Sequence, residues 1–201
     1  MNPLSGQPET LNLSNSWWRT LKRLFLLLMK QSFKKTIRDK LIQAAISYSK
    51  LLEKEIVIAS SSFECSDSYT IRFFKSNFLH LTGVSTNLST EDFFEKCLNG
   101  LIDENDFSVD KTIEQKGLVR LKIKHLPFIN SFFDGEVLVQ ENFEKGSIEC
   151  LVTTSDGKCT IGFVDAKYHV RPKTILDKNH LSKTKKIISV KPIINTILKN
   201  L

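Results

Sequence analysis

Residues 33–60 read FKKTIRDKLIQAAISYSKLLEKEIVIAS, and this stretch decides the fold class. Phe33, Ile37, Leu41, Ala44, Ala45, Tyr48, Leu51 and Leu52 recur at helical spacing and form one apolar stripe. Lys34, Lys35, Arg38, Lys40 and Lys50 fall largely off it, so a helix over 33–54 buries one face and presents a basic one. The pattern then turns β-rich at 55–60. It does so again at 69–74, where Tyr69, Ile71 and Phe73 alternate with Thr70, Arg72 and Phe74. Residues 89–98 predict a second helix, with Ser89 or Thr90 as N-cap, Glu91 and Asp92 in the first turn, and Asn99 and Gly100 as the stop. Strands follow at 137–140, 148–153 and 160–164, with Asp156 and Gly157 as a hairpin turn. The order helix, strands, helix, strands, without the regular alternation of a doubly wound sheet, gives an α+β fold: N-terminal helices packed on a small antiparallel sheet. Residues 117–133 fit a strand and a helix equally well, and Pro127 opposes both. The tail from Pro172 reads as a short helix near Asp177 and a final segment of alternating apolar residues.

Working outward, residues 1–15 are rich in Pro, Ser, Asn and Thr and read as a disordered lead-in. Trp17, Trp18, Leu21, Leu24, Phe25 and Leu28, with Arg19, Lys22 and Arg23 between them, predict a short basic amphipathic helix. Its apolar face suits a membrane surface or the body of the protein. Met29 stands just before the next helix and offers an alternative start, so 1–28 reads as a separate lead-in and 29–201 as a single domain. A length of 201 residues suits one domain with a proper core. The longest apolar run, 24–29, is six residues, against about 20 for a spanning helix, which excludes an integral membrane span.

The formal charge is +7 and is unevenly distributed. Residues 166–201 carry nine Lys or Arg against one Asp, whereas 127–165 carry two against seven acids. Basic ends around an acidic middle suit a polyanionic partner or, more blandly, a solvated surface. Cys65, Cys97, Cys150 and Cys159 have no zinc-type or redox spacing and read as free thiols in a reducing cytoplasm, a Cys150–Cys159 link being the one geometric alternative. No metal or cofactor is expected.

The densest group of reactive residues is Arg72, Lys75, His80 and Thr82, ending at Gly83. It reads as a strand-to-loop passage, with His80 and Thr82 on one face. A histidine, a hydroxyl and cations are the parts for metal-free RNA cleavage: a base for the 2′-OH, a proton donor for the leaving oxygen and charge on the phosphorane. The competing reading is a structural histidine.

The string Phe78-Leu79-His80-Leu81-Thr82-Gly83-Val84 resembles the F-x-H-L-T-G signature of phage-type nucleases related to Barnase, EndoU, colicins E/D and RelE, the BECR superfamily. Phe93 to Gly100, Asn105-Asp106-Phe107, Gly162-Phe163-Val164 and Arg171-Pro172-Lys173-Thr174-Ile175-Leu176 add to the resemblance, which covers about 34–185. It implies a BECR-type α+β nuclease fold, a cytoplasmic phage or mobile-element protein, and an endoribonuclease, toxin or effector, acting on tRNA, rRNA or mRNA. An antitoxin or a host protein would be a second partner. Carried over by position, His80, Thr82 and Thr174 are catalytic candidates with Arg72 and Lys75, and Arg171, Lys173 and His169 bind substrate. A second histidine, where the chemistry uses one, is His169 or His125. The alternative is an accessory protein that binds RNA or protein without cleavage.

Overall fold

A computed structural model describes residues 14–109 and 112–197, without the side chains of 14–16, 28–32 and 113–116. The expected lead-in at 1–13 lies outside the described residues. The chain divides into two units, Met1–Thr36 and Ile37–Leu201, and each is described by itself. Helix α1 (Ser14–Ser49) begins in the first and ends in the second. Two helices were expected here; one continuous element forms because no glycine or proline interrupts residues 14–49. In the first unit Trp17, Trp18, Leu21, Leu24 and Phe25 are exposed. Among the described residues no helix is long and apolar enough to cross a membrane.

The second unit is α+β. After α1 come β1 (Lys54–Ala59), β2 (Ser68–Arg72), α2 (Lys75–Thr82), α3 (Thr90–Leu98) and α4 (Ile113–His125). A 3-10 helix (Leu126–Ser131) leads to β3 (Val137–Lys145), β4 (Ile148–Ser155), β5 (Cys159–Asp165), β6 (Val170–Asp177), β7 (Ile188–Val190) and β8 (Ile193–Thr196). The sheet has eight strands in the order β7-β3-β4-β5-β6-β2-β1-β8. It is larger than expected and mixed, because β2 and β6 pair in parallel with Ile71 opposite Val170. Tyr69 of β2 donates to the Glu141 carboxylate of β3 although three strands separate them in the sheet order, so the sheet is strongly curled.

The helix stripe read from sequence packs as expected: Ile37, Leu41, Ala44, Ala45, Tyr48 and Leu51 are buried. Tyr48 makes edge contacts with Phe73, Phe78 and Phe94 at 5.5, 5.3 and 5.8 Å. Its hydroxyl donates to the Phe74 carbonyl at 2.9 Å, which fastens the end of α1 to the junction of β2 and α2. Ser89 caps α3 by accepting from Asp92 N, and Gly100 takes the left-handed conformation after it, as the sequence predicted. The Asp156–Gly157 turn also forms, its Gly157 at φ 86°.

Three local readings are corrected. Residues 75–82, expected as a loop, form helix α2: Asn77 Oδ1 accepts from Phe74 N, Phe78 and Leu81 turn inward, and Gly83 ends the helix at φ 75°. The ambiguous 117–133 is α4 followed by a 3-10 helix, with Pro127 in the first turn of the latter, where a missing N–H costs nothing. No helix forms near Asp177. The Pro172 stretch belongs to β6, and the tail supplies strands β7 and β8 at the two edges of the sheet. All four cysteines are free. Burial pushes the Cys97 and Cys159 thiols up to about 12.

Candidate active site

Helix α2, helix α4 and strand β6 pack against one another, and the residues singled out in the sequence lie along them except for Arg72, at the end of β2, and His169, just before β6. At the start of α2 the Phe74 ring lies against the His169 ring, with centroids 5.1 Å apart. The parallel pairing of β2 with β6 brings Arg72 and Lys75 to the same neighbourhood as His169 and Arg171. Both of those first cations are already paired. Arg72 holds Glu55 across β1 and β2, with Nη2 to Oε1 at 2.7 Å, and Lys75 holds Glu95 of α3 at 2.6 Å. Arg171 and Lys173 are exposed on β6, and Lys173 Nζ donates to the Glu149 carbonyl at 2.9 Å.

His80 is exposed near the end of α2, and its imidazole makes no hydrogen bond among the described residues. Thr82 does not share its surface. Two positions on along a helix, it points away from His80 and is fully buried. Its hydroxyl donates to Leu79 O at 2.7 Å and accepts from Val84 N at 3.3 Å, which closes the end of α2. The expected common face for His80 and Thr82 is therefore replaced by a division of labour: one side chain faces solvent and the other fixes the helix that carries it.

Lys122 of α4 was passed over in the sequence. It reaches the end of α2, where Nζ donates to the His80 carbonyl at 3.4 Å. Burial lowers its ammonium below the ordinary lysine range. A Cβ at Gly83 would lie 3.1 Å from Lys122 Cδ, so the glycine both takes the left-handed turn and makes room for this side chain. No local pattern marks Lys122, because its neighbour is 42 residues away.

One turn beyond Lys122, His125 Nε2 and Lys124 Nζ both meet Asp177 Oδ1, at 2.6 and 3.1 Å, so α4 is clamped to the end of β6. Hydrogen bonds from His125 and Lys124 hold the Asp177 carboxyl below its ordinary range. A depressed folded value means that the unfolded chain binds the proton more readily. The clamp's contribution is therefore complete above the ordinary carboxyl value of about 3.9 and is lost as pH falls through the lower folded value. Denaturant titrations stepped from about pH 5 to about pH 2 should show Asp177→Asn flattening part of the acid-side loss. An unchanged pH profile would contradict the clamp.

Thr174 is 7% exposed and lies opposite Gly162 at the irregularity between β5 and β6. A Cβ on Gly162 would sit 2.4 Å from Cys150 Sγ and 3.1 Å from Thr174 Cγ2. Gly162→Ala is therefore expected to cost about 1–3 kcal/mol through overpacking. In chemical denaturation, Cys150→Ala should recover part of that loss, and strictly additive effects would show that the crowding lies elsewhere.

No match was found among curated proteins or among solved structures. The model of one protein family matches residues 40–199, which takes in α2, α4, β6 and every residue described around them. On that match the chain belongs to the phage-Barnase-EndoU-ColicinE5/D-RelE like nuclease4 family.

Proposed function

We propose that this protein is an endoribonuclease that cleaves RNA without a metal ion, acting as a toxin or phage effector in the cytoplasm. Family membership supplies the nuclease class. The observation that carries the reading to a site is the exposed His80 beside the half-buried Lys122. In this reading His80 takes the proton of a ribose 2′-OH, the oxygen attacks phosphorus, and the bond to the 5′-oxygen breaks as that oxygen takes a proton from solvent water, to which His80 then returns its own. The products are a 2′,3′-cyclic phosphate and a 5′-hydroxyl. Lys122 with Arg171 and Lys173 offsets the charge of the phosphorane, and His169 and Thr174 help to hold the strand. Arg72 and Lys75 join only when RNA draws them from Glu55 and Glu95. Thr82 acts as a positioning residue through the end of α2.

A second reading, an accessory protein that binds RNA or a host protein without cleaving, is favoured by those same paired cations and by the buried Thr82 hydroxyl. Incubating the protein with tRNA, rRNA or mRNA in EDTA and mapping the ends separates the two. Cyclic phosphate ends support the nuclease, and intact RNA that is bound in a salt-sensitive way supports the accessory protein.

A further inference from the structure

A cleft of about 620 Å³ opens between the end of α4, the 3-10 helix, the β4–β5 turn and the adjoining start of β5 and end of β6. Its size falls in the range of pockets that enclose a small organic ligand, about 300–1,000 Å³. The inner surface is apolar: Phe132, Ile161 and Ile175 are buried core residues that also line the cleft. At the mouth Phe128 is 66% exposed. An aromatic ring held in water beside an apolar slot is a stacking platform for a planar group.

The polar groups are arranged for a phosphorylated ligand. Lys124, Lys158 and Lys178 line the cleft, and among the described residues neither Lys158 nor Lys178 is in an ion pair. Of the two carboxylates, Asp156 is spent on the turn, its Oδ1 accepting from the N–H groups of Lys158 and Cys159 at 2.8 Å. Asp177 receives both His125 and Lys124 on Oδ1, which leaves Oδ2 as an acceptor for a base amino group or a ribose hydroxyl. The three lysines of the lining outnumber its two aspartates, and this positive excess at the rim of an apolar slot attracts an anion that also carries a flat ring. His125 of the lining is three residues from Lys122, about 4.5 Å along the helix axis at 1.5 Å per residue, so the cleft opens one turn of α4 beyond the lysine that reaches the His80 carbonyl.

We propose that this cleft holds one nucleotide of a single-stranded RNA, next to the scissile phosphate, with its base on Phe128 and its phosphate among Lys124, Lys158 and Lys178. The proposal rests on the reading of RNA as substrate. It is tested by following backbone amide resonances of the full chain during titration with each nucleoside 5′-monophosphate, with inorganic phosphate and the uncharged nucleosides as comparisons. The expected result is saturable shifts at residues 124–132 and 156–161 with at least one monophosphate. Phe128→Ala should weaken that binding about tenfold, since stacking on one aromatic ring is worth a factor of this order or more. The Lys158→Ala, Lys178→Ala double variant should weaken it similarly and flatten its salt dependence. Phe128 is exposed and both lysines are at the surface, so each variant should keep the wild-type melting temperature. Equal shifts with inorganic phosphate and with monophosphates, or an affinity unchanged by Phe128→Ala, overturns the proposal. The two readings fail separately. Shifts in the cleft without RNA cleavage remove the nuclease and keep the pocket. Cleavage whose sequence preference is unchanged in Phe128→Ala, with no shifts in the cleft, removes the pocket and keeps the nuclease.

Discussion

Replacing His80 with alanine is expected to reduce RNA cleavage in EDTA by about 10²–10⁴-fold, the usual contribution of one group that transfers a proton in the transition state. The structure makes this a clean substitution. The His80 side chain is exposed and bonds to no described residue, so removing it leaves α2, its Asn77 cap and its Gly83 stop in place. Surface changes away from caps and cores fall within about 0.5 kcal/mol, so melting temperature and RNA binding should stay near wild type while turnover falls. That separation distinguishes a catalytic histidine from a structural one, whose loss would lower stability first. A His80→Ala protein that cleaves at the wild-type rate would remove His80 from the chemistry and move attention to His125 and His169. The two lie at different ends of the same assembly: His169 against Phe74 at the start of α2, and His125 at the end of α4.

Local signals carried the sequence reading where the chain supplies its own partners. The cap from Ser89 to Asp92, the stop at Asn99 and Gly100, the Asp156–Gly157 turn and the stripe from Ile37 to Leu51 all join residues within a few positions of one another, and each formed as expected. The expectation was incomplete where partners are distant: the final segment of alternating apolar residues supplies β8, but its place at the sheet edge beside β1 was not marked. Strand β8 is exposed along its whole length and exists through pairing with β1, over 130 residues earlier in sequence, so no alternation of burial marks it. Helix α2 followed an alternating strand, and the alternation concealed its own helical spacing: Phe78 and Leu81, three apart, before Gly83. The site is legible only in part for the same reason. His80 stands in a motif, whereas Lys122 meets it across 42 residues and His125 meets Asp177 across 52, and no window of sequence contains such pairs.

The largest stability effect should come from beneath the motif: Phe78→Ala is expected to cost about 3–5 kcal/mol, the range for emptying a fully buried phenylalanine site. Phe78 has no accessible surface and stands among Tyr48, Phe94 and Phe93 at 5.3, 5.2 and 6.1 Å between centroids. These rings come from α1, α3 and α2, so the cavity would open where three helices meet and could not close by a shift of one alone. For a domain of about 150–250 residues each kcal/mol lowers the melting temperature by about 2–4 °C, so a fall of roughly 6–20 °C is expected in a thermal scan. Phe78→Leu should cost clearly less, since it keeps most of the apolar volume and loses the edge contacts, worth about 0.5–1.5 kcal/mol for an aromatic pair. A loss below about 1 kcal/mol for Phe78→Ala would mean that this ring does not fill the core between the helices. Phe78 is also two residues before His80 on a helix of eight, so the cluster that stabilises the domain is what holds the candidate histidine in place. On the proposed function, cleavage by Phe78→Ala, measured well below its melting temperature, should then fall in turnover more than in substrate affinity, because loosening α2 displaces the proposed proton-transfer group while the lysines of α4 and β6 proposed to bind RNA stay in place.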